Sequence, residues 1–104
     1  RIDTSFGGIT GVRKALGFYE SIGMQCELEY VGFSNLALFG STSEETCEYY
    51  ERGLLRPEED YDSIVPPHLK QPCDPMDENG FVSIPQGPGL GFEFDWGYVS
   101  ANIV

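Results

Sequence analysis

The chain has 104 residues, enough for one small domain, and its 40% apolar content is ordinary for a protein with a hydrophobic core. Its 17 acidic and 6 basic residues give a net charge of −11. This charge argues against nucleic acid and against an anionic membrane as partners, because phosphate binding needs clustered Lys and Arg. No apolar stretch approaches the roughly 20 residues that cross a bilayer. The cysteines lack CxxC spacing and form neither a disulfide framework nor a zinc site, so we expect a reducing, cytoplasmic compartment.

A strand end, a loop and an amphipathic helix are predicted at the start of the chain. Residues 1–3 read as the end of a strand, and a loop through Gly7 and Gly8 follows. Thr10 is the predicted N-cap of the helix, which Gly23 ends as a C′ residue. The apolar side chains between these two residues recur at helical spacing: Val12, Ala15, Leu16, Tyr19 and Ile22.

A βαβ unit is predicted in the middle of the chain. Residues 24–31 alternate between two sets of side chains, as a strand with two different faces does. The apolar run 33–40 fits one short buried helix, and residues 46–52 read as a second strand. Parallel strands joined in this way end at the same edge of a sheet, where α/β proteins place their chemistry. Because Glu29 and Glu51 lie near those strand ends, function is sought at these carboxylates.

The character of the sequence changes at the proline-rich residues 56–75. This proline density excludes a long helix and a central strand, so an extended surface segment is predicted. The acidic cluster 58–60 and the single histidine, His68, are interpreted as surface groups rather than as a ligand site and a catalytic base.

Turn signals dominate the remaining residues. The pair Asn79-Gly80 predicts a type I′ hairpin turn before a short strand over residues 81–85. Residues 86–91 combine glycines and a proline without a phosphate-binding pattern, so they predict a tight structural connection. Residues 92–94 alternate as a short strand, and Asp95 is the predicted cap of a last, weak helical turn.

The chain begins with Arg rather than Met, and it begins as though already inside a strand. Two or three parallel strands cannot close a barrel or cover both of their faces. We therefore expect the C-terminal piece of a longer protein, which would fold poorly alone because of its unpaired strand edges. The alternative is a processed small domain.

Three stretches carry a resemblance to a known family, and they occur in the family's order. Asp3 followed by the stretch Gly7-Gly8-Ile9-Thr10-Gly11 resembles the sixth-strand region of the mandelate racemase/muconate lactonizing branch of the enolase superfamily. Residues 50–52 are similar to its eighth strand, and residues 79–91 to its C-terminal tail. The resemblance implies an α/β fold: residues 1–56 would be the C-terminal portion of a TIM-type (β/α) barrel. Residues 57–104 would be an extended tail with a β-hairpin that joins a capping domain.

The resemblance also implies a cofactor and partners. Such enzymes bind Mg²⁺ and abstract the proton α to a carboxylate, and the metal stabilises the resulting enediolate. Their metal ligands and lysine base lie on earlier strands, so the 104-residue chain alone is expected to be inactive and to lack a tight Mg²⁺ site. The implied partners are a small-molecule carboxylate substrate, the rest of the barrel and capping domain, and further copies in a homo-oligomer.

Three carboxylates match positions of the family's site. Asp3 matches the aspartate that pairs with a histidine on the seventh strand, and Glu51 matches the eighth-strand glutamate that hydrogen-bonds the substrate carboxylate. Glu51 must carry its proton to act as that donor. By alignment from the end of the first helix, the histidine position falls on Glu29; a shift of two residues would place Glu27 or Val31 there instead.

The missing histidine bears on the reaction. Racemisation needs a base on each face of the substrate, whereas dehydration of a sugar acid needs one base and one acid that expels the β-hydroxyl. A carboxylate beside Asp3 is repelled unless one of the two holds a proton, so Glu29 can serve as the acid. An acid-sugar dehydratase is therefore favoured. The alternatives are a racemase or epimerase of the same superfamily and a non-catalytic binding or scaffold relative, in which Glu29 is structural.

Overall fold

The computed structural model describes residues 1–5, 7–29, 32–52, 56 and 58–104. The chain forms two compact units, Arg1–Leu54 and Leu55–Val104. The assignment of residues 1–56 to a barrel and of residues 57–104 to a capping domain stays a prediction. Within the described ranges, no helix is long and apolar enough to cross a membrane.

The first unit opens with helix α1, Gly8–Ser21. The prediction that Thr10 is its N-cap is wrong, because the loop turns directly into the helix: the amide of Gly8 donates to the carbonyl of Thr4 at 2.9 Å. Gly7, which has no side chain, is the N-cap. At the other end, Gly23 takes the left-handed conformation (φ +66°), and its amide donates to the Glu20 carbonyl, as predicted for a C′ glycine.

Three short extended segments alternate along the chain with α1 and with α2, which is Phe33–Phe39. Ile2 and Leu28 form a parallel bridge, in which the Ile2 amide donates to the Glu27 carbonyl and the Glu29 amide to the Ile2 carbonyl. The Cys26 amide donates to the Thr46 carbonyl at 2.7 Å. The chain thus alternates extended segments with helices, and its first two segments pair in parallel.

The predicted strands are shorter in the structure than in the sequence interpretation. The described parts of residues 1–3, 24–31 and 46–52 form the single bridge and the isolated hydrogen bond above rather than full ladders. Positions 30 and 31 lie outside the described residues. The physical reason is that parallel pairs are weak unless neighbours flank them on both sides, and residues 1–3 pair on one side only in the described part of the unit.

A small apolar core holds the first unit together. Leu16 and Leu28 have exposures of 0% and 1%, and the partly buried Ile2 and Phe39 pack against the same cluster. The rest of that cluster comes from α1, α2 and the third segment: Val12, Leu38 and Cys47. The apolar face of α1 is thus buried in its middle turns, while Ile22, just beyond the helix, is half exposed.

In its described residues, the second unit contains two antiparallel bridges and one helix. Leu69 pairs with Phe94, and Met76 pairs with Val82 across the predicted hairpin. Helix α3, Trp96–Ala101, is capped by Asp95, whose side chain accepts the Tyr98 amide at 2.9 Å, as predicted.

The hairpin turn differs from the predicted type I′ turn at Asn79-Gly80. The Gly80 amide donates to the Asp77 carbonyl, which places the turn over residues 77–80, and Gly80 ends this turn at φ +85°. The Asp77 side chain explains the wider turn, because it accepts the amides of both Asn79 and Phe81 at 2.9 Å.

The glycine-rich residues 86–91 form a tight connection, as predicted, in which Gly91 lies against Pro85. Gly91 has φ +76°, and a Cβ added there would overlap the ring of Pro85. We expect Gly91→Ala to lower the free energy of unfolding by about 2 kcal/mol or more, since strain and overpacking add. Gly89→Ala is the matched control: its φ is +67°, but a Cβ there points into open space among the described residues. Urea denaturation of the full-length protein measures both, and equal losses would contradict the close approach to Pro85.

Candidate functional site

The parallel bridge fixes which side chains share a face. Ile2 and Leu28 are level with each other and belong to the core that packs under α1. Because side chains alternate along an extended segment, Asp3 and Glu29 point to the opposite face and are level with each other. Two of the three predicted site residues, Asp3 and Glu29, therefore lie on one face. The alternation of side chains along residues 24–31 predicts this for Glu29.

Arg1 contacts both Glu29 and Glu51, the third predicted site residue. One guanidinium nitrogen of Arg1, Nη2, donates to Glu51 Oε2 at 2.5 Å, and Nη1 lies 3.6 Å from Glu29 Oε1. The three side chains are between 34% and 52% exposed. Solvent therefore screens the ion pairs, each worth about 1 kcal/mol or less, and a charged ligand can compete for the same groups.

Asp3 has a different environment. The residue is buried, and its Oδ1 accepts the backbone amide of Ser5 at 2.5 Å as well as the Ser5 hydroxyl. This contact holds the loop that follows the first segment. Asp3 is thus held by Ser5, whereas Arg1 is shared by Glu29 and Glu51.

Sequence reasoning missed Arg1 as a member of this group. The sequence predicts only a strand end at residues 1–3, although Arg1 lies two residues before Asp3 and therefore on the same face. That parity was the available signal. What sequence could not show is that a side chain reaches residues 28 and 50 positions further along.

Other ionisable groups are less suited to catalysis. Burial raises the pKa of the Cys47 thiol above its ordinary value of 9.0, so the thiol stays protonated at neutral pH and is a poor nucleophile. In the second unit, the side-chain hydrogen bond to Glu93 raises the pKa of Lys70, which keeps it a cation rather than a base. The histidine, His68, is half-buried in that unit, and its carbonyl accepts the Asp95 amide.

Glu27 and Val31 are the alternative positions for the family's histidine, and the structure describes the first of them. Glu27 is on the same face as Glu29, and its Oε2 lies 4.0 Å from the Cys47 sulfur. Val31 lies outside the described residues. The acidic cluster 58–60 is exposed, as predicted, and Arg56 contacts Glu59 there at 3.4 Å.

The chain's own donor side chains decide whether it can hold a metal ion. In the described part of the chain, no group of three or more His, Cys, Asp or Glu side chains is arranged to hold a metal ion. The described residues therefore do not fit a resident Mg²⁺, and the chemistry available here is that of the carboxylates and the guanidinium.

Nearly the whole chain matches part of one solved enzyme structure. Neither a family model nor a curated protein matches it. A solved structure does: D-glucarate dehydratase from Agrobacterium tumefaciens, complexed with magnesium, is 41% identical with a TM-score of 0.76. The match covers 94% of this chain and 25% of that one, so the chain spans a quarter of the length of the enzyme it resembles. The structural match fits a part of a TIM-barrel protein. The predicted resemblance to the enolase superfamily is confirmed by this match to one of its enzymes.

Proposed function

We propose that the full-length protein is a Mg²⁺-dependent dehydratase of sugar acids and that this chain is its C-terminal part. The observation that carries the proposal is the 41% identity with D-glucarate dehydratase over 94% of the chain. D-glucarate is accordingly the first acid to test. In this proposal Mg²⁺ is held by residues outside the chain, and when bound it stabilises the negative charge of the enediolate.

Glu29 is proposed as the general acid. A base supplied by the rest of the protein takes the α-proton, the electron pair moves into the carbon skeleton, and the bond to the β-hydroxyl breaks. Glu29 gives its proton to the departing oxygen, which leaves as water. The level placement of Asp3 and Glu29 on one face supports this role, because it puts Glu29 beside the aspartate that the resemblance assigns to the site, on the face opposite Ile2 and Leu28.

Glu51 is proposed to bind the substrate carboxylate through a hydrogen bond. The support comes from convergence: Glu51 and Glu29 both reach Arg1, so the proposed acid and the proposed donor lie around one point. Each carries its proton only in the substrate complex, where the substrate carboxylate takes its place on Arg1. A substrate carboxylate entering there can share Arg1, since the existing ion pairs are partly exposed and weak.

The proposal is tested by the remainder of the protein. We expect the upstream sequence to contain a lysine base and three acidic metal ligands on successive strands. Calorimetry should then show tight Mg²⁺ binding by the full-length protein and none by the 104-residue chain. A full-length protein that lacks those residues and binds no Mg²⁺ would favour the non-catalytic scaffold alternative.

A further inference from the structure

Asn35 joins the backbones of the two segments that carry Asp3 and Glu29. Its side-chain oxygen accepts the amide of Thr4, the residue after Asp3, at 3.2 Å. Its side-chain nitrogen donates to the carbonyl of Glu29 at 2.9 Å. One planar amide thus spans the loop after the first segment and the end of the second.

The burial of Asn35 makes this contact costly to lose. The residue is 3% exposed, although it lies in a helix whose neighbouring buried residues, Leu36 and Leu38, are apolar. A buried amide without partners is unfavourable, so these two backbone groups contribute to fixing its side chain. Its neighbour Ser34 adds a contact on the same side, 2.8 Å between its hydroxyl oxygen and that of Thr4.

The chemistry of the position requires an amide. Thr4 offers an N–H and Glu29 offers a carbonyl, so the bridging group must accept with one atom and donate with the other. Aspartate of the same size keeps the acceptor but loses the donor and brings a carboxylate oxygen against the Glu29 carbonyl. Leucine of similar size keeps neither function.

We propose that Asn35 is a positioning residue: it holds the Asp3 and Glu29 segments at a fixed separation and thereby aims the Glu29 carboxyl at the leaving group. This inference rests on the proposed dehydration. Asn35 acts through the backbone of Glu29 and does not need to touch the substrate. Loss of the bridge should therefore impair the step that uses Glu29 more than the step that uses a base from elsewhere in the protein.

The bridge itself is tested by amide hydrogen exchange in the full-length protein. In Asn35→Leu the Thr4 amide loses its acceptor, and we expect its exchange, followed by mass spectrometry of the peptide that contains it, to speed up at least about tenfold. Asn35→Asp keeps that acceptor and should keep most of the protection. Asn102→Leu is the matched control, since Asn102 also donates its side-chain amide to a carbonyl, that of Tyr98 at 2.8 Å, but is exposed.

The consequence for catalysis is tested by comparing two rates in the same variants. We expect the rate of dehydration to fall by about 10 to 100-fold in Asn35→Asp and Asn35→Leu, because the Glu29 carboxyl is then misplaced relative to the leaving group. Exchange of the substrate α-proton with deuterated solvent should fall much less, so the ratio of exchange to dehydration rises. Asn102→Leu should leave both rates unchanged.

Two results would overturn the inference. One is an unchanged Thr4 amide in Asn35→Leu; the other is a fall of dehydration and α-proton exchange in equal proportion, which marks a residue that only stabilises the fold. A wild-type protein that neither dehydrates sugar acids nor exchanges their α-proton would instead contradict the proposed function. In that event the Thr4 exchange rate alone decides whether Asn35 holds the two segments together.

Discussion

Glu29→Gln is expected to abolish dehydration by the full-length protein while the substrate α-proton still exchanges with deuterated solvent. Glutamine keeps the size of the side chain and cannot give up a proton to the departing hydroxyl. Losing a general acid costs about 10² to 10⁴-fold in rate. Proton NMR in deuterated water follows both reactions in one sample, because the α-proton signal and the product signals are distinct.

Glu27→Gln is the matched control for this variant. Glu27 lies two residues earlier on the same face and is the alternative alignment of the missing histidine. The alignment is shifted by two residues if Glu27→Gln, and not Glu29→Gln, abolishes dehydration while α-proton exchange continues. Joint loss of both reactions in Glu29→Gln would make Glu29 structural or essential to the first step.

Glu29→His restores the family's residue. A gain of racemase or epimerase activity in this variant would identify the broken Asp–His dyad as the reason why this protein departs from its relatives.

Glu51→Ala is expected to lower kcat/KM by on the order of 10²-fold or beyond, by analogy with the loss of an oxyanion-hole donor. Glu51→Gln keeps a hydrogen-bond donor at the same place and should retain appreciable activity. The difference arises because the proposed hydrogen bond strengthens as the substrate carboxylate becomes an enediolate. Steady-state kinetics of the two variants on the same sugar acid measures it.

The ion pair with Arg1 offers a competing explanation for Glu51, and the same variants separate the two. Both substitutions remove the charge that Arg1 Nη2 contacts at 2.5 Å. Equal losses in Glu51→Gln and Glu51→Ala would therefore mean that pairing with Arg1, rather than donation to the substrate, is what matters. Glu48→Ala, at an exposed position of the same segment, should leave the kinetics unchanged.

The helices were predictable because their signals are local. The apolar spacing of α1 and the compact apolar run of α2 each gave a helix at nearly the expected residues. The start of α1 was not, because the Thr4 carbonyl that receives the Gly8 amide belongs to the preceding loop. The hairpin type also escaped prediction, since the Asp77 side chain competes for the turn amides.

The candidate site was predictable only in part. Alternation along residues 24–31 indicated that Glu29 faces away from Leu28, and the parallel bridge to Ile2 agrees with this. The convergence of Glu29 and Glu51 on Arg1 depends on tertiary distances that no local pattern encodes. The role of Asn35 was also not predictable. It occurs inside an apolar run, and only the structure shows that its side chain contacts the Thr4 amide and the Glu29 carbonyl.

Turnover of sugar acids by the full-length protein decides whether these carboxylates belong to a dehydratase. The protein is incubated with Mg²⁺ and a panel of sugar acids in deuterated water, and NMR records loss of water and α-proton exchange. We predict Mg²⁺-dependent dehydration of at least one acid, stopped by a chelator. Inversion at the α-carbon without loss of water, or no reaction with any acid in the panel, would contradict the proposal.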